Sequence, residues 1–377
     1  MTATVPIHGS CAPQFAVVRD AFAENFAQHG EIGASLSVFH RGECVVDLWG
    51  GMADPRTGRR WQEDTLCGLF STAKGVTATC VNSLIDRGVL DPAAPVATYW
   101  PEFAQSGKAE VTVAWLLSHQ AGLPRIDNPL PLEQALRWTP MIAALAAQKP
   151  YWTPGTAHGY HPLTFGWLAG ELIRRIDGRS VSAFLAEEIA QPLQLDLHFA
   201  LPADQHHRLA HLIFTESPER SASRPSSPTV TTSPIDLTDT RTYLAEIPSF
   251  GVATARALAH LYAALIDPVA PLLSPATITA ATTEQAGGHD LTLQAPTRFG
   301  LGYSLPSRTF PLLTETSFGH SGKGGSLAFV DPAYQLAVGY IPNRLISGYG
   351  HDPRRTALFE ALHKALDPLG RQSLRTC

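Results

Sequence analysis

The chain has 377 residues, of which 44% are apolar and 16% charged, with a formal net charge of −5. Such totals suit one large globular domain or two intimately joined ones, and they exclude a disordered chain. The negative charge argues against nucleic acid or an anionic membrane as partner, and no run approaches the ~18 apolar residues of a membrane-spanning helix.

The first residues, Met1 to His8, lack a basic stretch followed by an apolar core, so no signal peptide is expected. Apolar residues at helical spacing (Phe15, Val18, Phe22, Phe26) predict a helix over 15–27. Strands are expected at 34–40 and 44–49, joined as a hairpin by Arg41-Gly42-Glu43, with a third short strand at 65–70. From 71 to about 190 the pattern is mainly helical, at 71–87, 112–118, 132–148, 161–176 and 180–190. Thr112 and Ser180 are the N-cap candidates, and Gly88 and Gly178 the stops. Residues 216–240 are rich in Ser, Pro and Thr, which predicts a long irregular surface loop that could border the active site. A helix is expected at 253–266, strands at 299–305, 325–330 and 336–341, and a closing amphipathic helix near 355–366.

This order implies an α+β fold. An antiparallel sheet built from both chain ends is flanked by terminal helices, with a mainly helical domain inserted. The expected division is 1–70 plus 245–377 for the sheet domain and 71–244 for the helical one. The five cysteines (Cys11, Cys44, Cys67, Cys80, Cys377) are scattered and odd in number, and read as free thiols in a reducing cytoplasm.

Ser71-Thr72-Ala73-Lys74 is the only Ser-x-x-Lys in the chain. On a helix beginning there, Lys74 lies one turn on from Ser71 and on the same face. The amine can then reach the hydroxyl, and unpaired N–H groups of the first turn point at the same spot. No charge follows Lys74 until Asp86, so its surroundings look buried, which lowers a lysine toward a usable base. A serine cap followed by an exposed lysine is the plainer alternative.

Two further clusters stand out. Trp152 to His161 is a Pro/Gly loop that delivers Tyr160 before a helix; a buried, hydrogen-bonded tyrosine is the plain reading there. His161 is expected to be structural or a substrate contact. Gly319-His320-Ser321-Gly322-Lys323-Gly324-Gly325-Ser326 precedes a strand, and glycines this dense imply close backbone approach or a simple turn. An edge strand lining a cleft could offer its N–H groups to an acyl oxygen. His207-x-x-x-His211 and His158-x-x-His161 lack a third ligand, so no metal is expected.

Taken in order, these clusters resemble the serine β-lactamase and penicillin-recognising superfamily, and most of all the class C β-lactamase-like carboxylesterases called family VIII esterases. The resemblance includes Leu116-Leu117-Ser118-His119-Gln120-Ala121-Gly122-Leu123-Pro124, Trp152-x-Pro154-Gly155 before Tyr160, and His320-Ser321-Gly322 where β-lactamases carry Lys-Thr-Gly. It implies Ser71 as nucleophile, Lys74 as its activator, Tyr160 as partner general acid and base, and the N–H groups of Ser71 and Lys323 as oxyanion hole. His320, Gly322, Trp152 and His161 would contact substrate; Trp152, Trp138, Phe165 and Phe250 are aromatics that could line its pocket or equally belong to the core. Two departures bear on substrate: Pro162 stands where β-lactamases place an Asn, and His320 replaces a lysine. Both favour an uncharged small-molecule ester over a lactam, with no cofactor. A β-lactamase, D-amino-acid peptidase or amide hydrolase of the same superfamily, and an acyltransferase, are the alternatives. Oligomeric state is not legible.

Overall fold

The computed structural model describes residues 5–215, 240–346 and 352–373. The main sheet is antiparallel. Its first strands are β1 (Ile7–Cys11), β2 (Gly33–His40) and β3 (Glu43–Asp54), with helix α1 (Ala16–Gln28) between β1 and β2. Its last are β4 (Phe318–Ser321), β5 (Leu327–Asp331) and β6 (Leu336–Pro342). They lie in the order β1-β3-β2-β6-β5-β4, and Arg59–Arg60 pairs with β3. The two chain ends meet where β2 pairs with β6, with Val38 opposite Val338. The expected hairpin forms, with a tighter turn: His40 pairs Glu43, so Arg41 and Gly42 alone reverse the chain. Both have positive φ, 55° and 82°, the twist that suits a two-residue hairpin.

Apart from edge strand β1, the sheet is covered on both faces. On one, Phe15, Val18 and Phe22 of the N-terminal segment and Leu358 and Leu362 of the last helix, α5 (Pro353–Ser373), cover Leu36, Val38, Val46, Leu48 and Val338. On the other lies α4 (Ala255–Ala264), close enough that a Cβ on Gly339 would stand 2.3 Å from the Ala255 carbonyl. Beyond it the helical region packs around α2 (Ala73–Asp86) and α3 (Thr164–Asp177). Residues Ala73 to Leu84 of α2 are buried throughout, because neighbouring elements cover this helix on all sides.

Several sequence expectations hold in detail. Thr112 and Ser180 cap their helices by accepting from the N–H groups of Trp115 and Ala183, and Gly178 closes α3 in the left-handed conformation (φ 86°). Others need correction. The strand expected at 65–70 is only Cys67–Gly68, and it pairs with Val252–Ala253 outside the main sheet. The chain must turn sharply there into α2. The helix expected at 132–148 breaks into Leu132–Ala135 and Trp138–Ala147, because Arg137 is extended (φ −98°, ψ 139°) ahead of Pro140. The helix expected at 161–176 starts at Thr164, after Pro162. The strand expected at 299–305 is instead Pro296–Phe299, paired with Ala286–His289, and the following Gly302 has φ 88°. The loop expected at 216–240 lies outside the described residues, apart from position 240, as does Cys377. Among the described residues no helix is long and apolar enough to cross a membrane. Cys11, Cys44, Cys67 and Cys80 are free thiols.

Candidate active site

Phe70 enters the turn before α2 with φ 50°, an unusual conformation for a bulky residue. Such strain costs roughly 1–3 kcal/mol and persists only where surroundings enforce it. Here Phe70 is buried edge-on against Phe250, with ring centroids 5.2 Å apart. The strained turn Phe70–Thr72 presents Ser71, which is half-buried, ahead of the first turn of α2.

Lys74 is fully buried, and its Nζ lies 3.0 Å from Ser71 Oγ. The same nitrogen donates to the Pro162 carbonyl and stands 4.9 Å from the centre of the Tyr160 ring. Burial pushes this amine well below the ordinary lysine range, so its neutral form is favoured. Lys108 provides a contrast. It is also buried, but its Nζ donates to the carbonyls of Gln105 (2.8 Å), Ala146 (3.0 Å) and Gln148 (2.6 Å), with no nucleophile among them. Burial brings Lys108 down to about 8.

Tyr160 reaches the site from the loop before α3 and is nearly fully buried. Its ring stacks on Phe299 (6.1 Å, 11°) and meets His119 edge-on at 4.9 Å. Its backbone N–H donates to the carboxylate of Asp290 at 3.0 and 3.1 Å. Asp290 is fully buried and also accepts from the N–H groups of Thr292 and Leu293 (2.8 Å each) and from Thr297 Oγ1 (3.1 Å). One carboxylate thus ties Tyr160 to the hairpin of Ala286–His289 and Pro296–Phe299, in whose turn Asp290 lies.

His320 lies on edge strand β4, buried, with its ring 5.9 Å from that of Tyr160. Its Nδ1 bonds the Ser321 carbonyl at 2.8 Å, which makes Nε2 the unprotonated nitrogen of the neutral ring. Burial, with the nearby Lys74 amine adding to it, brings His320 down to about 3. The turn between β4 and β5 is pinned to the Ser71 turn: Ser326 Oγ donates to the Leu69 carbonyl (2.7 Å) and lies 3.0 Å from Thr72 Oγ1. Gly322 passes between them so closely that a Cβ would meet Ser326 Oγ at 2.1 Å and the Leu69 carbonyl at 2.4 Å. Its contribution is this approach. The Lys323 side chain is exposed. Its backbone N–H donates to no other backbone group among the described residues.

The remaining expected residues are placed differently. His161 is fully buried, its Nε2 accepting from the Leu123 N–H (2.9 Å) and its Nδ1 bonded to the Gly159 carbonyl (2.6 Å). Both nitrogens are used by backbone, which leaves neither for a substrate, and burial brings the ring down to about 3. Trp152 donates to the Ala157 carbonyl (3.0 Å) and braces the Tyr160 loop at Gly159, where a Cβ would lie 2.7 Å from its ring. Trp138 bonds Glu171 and packs against Gly170, within the helical core. Phe165 and Phe250 are core residues.

Beside Tyr160 and His320 lies an apolar pocket of about 60 Å³, walled by Leu293, Ala295, Phe299, Leu305 and Phe310. No local pattern pointed to these residues, since the hairpin of Ala286–His289 and Pro296–Phe299 and the segment after it approach Tyr160 only in the fold. The same holds for Asp290. His119, from the Leu116–Pro124 segment, accepts from the His161 N–H at its Nδ1 (3.2 Å). A larger polar groove of about 400 Å³ contains none of the Ser71 cluster, and its Arg256 is paired with Asp47 and Glu63. Among the described residues no group of His, Cys, Asp and Glu is arranged to hold a metal.

Residues 18–363 match the family model described as Beta-lactamase. The chain belongs to the beta-lactamase family. Family likeness extends over nearly the whole chain in solved structures. A family VIII carboxylesterase superposes with a TM-score of 0.89 at 38% identity, covering 96% of this chain and 100% of that one. A penicillin-binding protein homolog from Caulobacter crescentus does so with a TM-score of 0.86 at 40% identity, covering 96% and 100%. The esterase/beta-lactamase LipL of Mycobacterium tuberculosis is 36% identical over 372 residues, covering 90% of this chain and 84% of its own. This beta-lactamase-family chain therefore has carboxylesterases among its structural neighbours.

Proposed function

We propose that the protein is a serine carboxylesterase that cleaves short- to medium-chain esters through an acyl-enzyme on Ser71. The observation that carries this reading is the 3.0 Å contact between Ser71 Oγ and a fully buried lysine amine. Neutral Lys74 takes the Ser71 proton as Oγ attacks the ester carbonyl. The oxyanion is received by the N–H groups of Ser71 and Lys323, each such donor being worth about 10²–10³ in rate. Tyr160, beside Lys74, passes the proton to the departing alcohol oxygen and later draws one from the water that releases the acid, a role worth roughly 10²–10⁴. The reading favours an ester over a β-lactam because His320 is a neutral ring where a fixed cation would hold a lactam carboxylate. The free thiols at Cys11, Cys44, Cys67 and Cys80 fit a reducing cytoplasm. Hydrolysis of β-lactams is the second reading, supported by the paired name of the LipL relative.

The test compares wild type and Ser71→Ala on p-nitrophenyl acetate, butyrate and octanoate, with nitrocefin alongside. Ester cleavage with little nitrocefin turnover, and a loss of roughly 10⁴-fold or more in Ser71→Ala, is expected. Activity retained by Ser71→Ala overturns the nucleophile. Nitrocefin turnover matching the esters favours the second reading.

A further inference from the structure

The apolar pocket beside Tyr160 has a side in the reaction that geometry can assign. On the reading above, Ser71 Oγ bonds the carbonyl carbon, the bond from that carbon to the alcohol oxygen breaks, and the Ser71 proton ends on that oxygen, releasing a neutral alcohol. The departing oxygen must therefore come within about 2.6–3.2 Å of the proton donor, the Tyr160 phenol. Whatever is attached to it continues past the Tyr160 ring. The pocket wall includes Tyr160, His320 and Ser321 but neither Ser71 nor Lys323, the residues that would hold the acyl carbonyl.

Resting on that esterase reading, we propose that this pocket is the alcohol subsite for unactivated alkyl esters, and that among these it selects short, uncharged, unbranched aliphatic alcohols; p-nitrophenolate, which leaves without a proton from Tyr160, does not need to enter it. Its depth is set by size. A 150 Å³ apolar cavity accepts a benzene ring, so about 60 Å³ accommodates roughly two or three carbons, an ethyl or propyl group. Its character is set by its walls. Leu293, Ala295, Phe299, Leu305 and Phe310 are apolar, and the charged lining residue, Arg298, is paired with Glu284 (2.6 Å) and Glu315 (3.0 Å). Nothing there would recognise an anionic or cationic alcohol. The pocket is also built in register with the chemistry, because Asp290 fixes the backbone of Tyr160, Thr292 and Leu293 and the hydroxyl of Thr297 at once. Tyr160 and the wall opposite it cannot shift independently.

The experiment measures kcat/KM for methyl, ethyl, propyl, butyl and hexyl acetate, and separately for methyl esters of acids of increasing length. Wild type should gain roughly fourfold per methylene from methyl to propyl acetate, the worth of one buried CH₂, and stop gaining beyond it. Ala295→Leu should remove that gain, lowering the propyl-to-methyl ratio about tenfold or more. Leu293→Ala, at a half-buried wall position, should move the turning point to butyl or hexyl acetate. In both variants the profile across acids should keep its wild-type shape. A flat wild-type profile across alcohols would overturn the proposal while leaving the esterase reading intact. Variants that reshape the acid series and leave the alcohol series alone would overturn it in favour of an acyl pocket. Wild type that cleaves none of these esters would sink the esterase reading and the subsite with it.

Discussion

Gly322→Ala should disable the site without touching any group that reacts. The added Cβ would stand 2.1 Å from Ser326 Oγ, 2.4 Å from the Leu69 carbonyl and 3.0 Å from Thr72 Oγ1. Atoms this close must separate, and the Leu69 carbonyl is backbone at the base of the strained Phe70 turn, so the relief is movement of strand end against turn. Those two segments carry the Lys323 and Ser71 N–H groups. Parting them removes one donor from the oxyanion, about 10²–10³ in kcat, with a smaller effect on KM. Overpacking adds a stability cost of about 1–3 kcal/mol. Ser326→Ala is the companion variant: it loses hydrogen bonds worth about 1 kcal/mol each but creates no clash, and should keep far more activity. Steady-state kinetics on p-nitrophenyl butyrate, with thermal melts of both variants, checks the pair. Should folded Gly322→Ala keep kcat within about threefold of wild type, the contact between strand and turn does not set the oxyanion geometry, and the reasoning fails.

Lys74→Met should abolish activity yet stabilise the protein at neutral pH, because burial holds the native amine well below its ordinary pKa. The unfolded state then binds more protons, so wild-type stability rises with pH between the depressed native pKa and about 10.4, by at most about 1.4 kcal/mol per pH unit. The stability gap between variant and wild type should accordingly narrow as pH rises through that window, as urea melts across pH would record. The acid limb of kcat/KM should fall as pH drops through the native Lys74 pKa. His320 and His161, both brought down to about 3 by burial, stay neutral from pH 5 to 8 and should contribute no limb there. A pH–rate profile for His320→Gln that loses a limb in that range would contradict this. Asp290→Asn turns an amide N–H₂ toward groups that donate, so it should cost roughly 1–3 kcal/mol in stability and lower kcat more than KM; unchanged kcat would remove Asp290 from the positioning of Tyr160.

How much of this was legible follows the range of each interaction. Ser71 and Lys74 sit one helical turn apart, and Thr112, Ser180 and Gly178 act within three or four residues, so sequence alone conveyed them. The fold class followed from the chain order of strands and helices. The strand β1 escaped because its sequence, Ile7-His8-Gly9-Ser10-Cys11, has no alternating apolar pattern; it is an edge strand with an exposed middle. Pro140 was a local warning against one helix over 132–148. By contrast, Asp290 meets Tyr160 across 130 residues, Ser326 meets Leu69 across 257, and Phe299 stacks on Tyr160 from a separate hairpin. Such contacts leave no periodicity to read. For the same reason the choice between a structural and a substrate-contacting His161 was not legible, since its partner, the Leu123 N–H, lies 38 residues away.

The central claim is tested most directly by trapping the intermediate. Wild type mixed briefly with p-nitrophenyl butyrate, quenched in acid and digested, should yield a peptide carrying one butyryl group on Ser71, absent from Ser71→Ala. A butyryl group on another residue, or ester turnover by Ser71→Ala, would contradict the account.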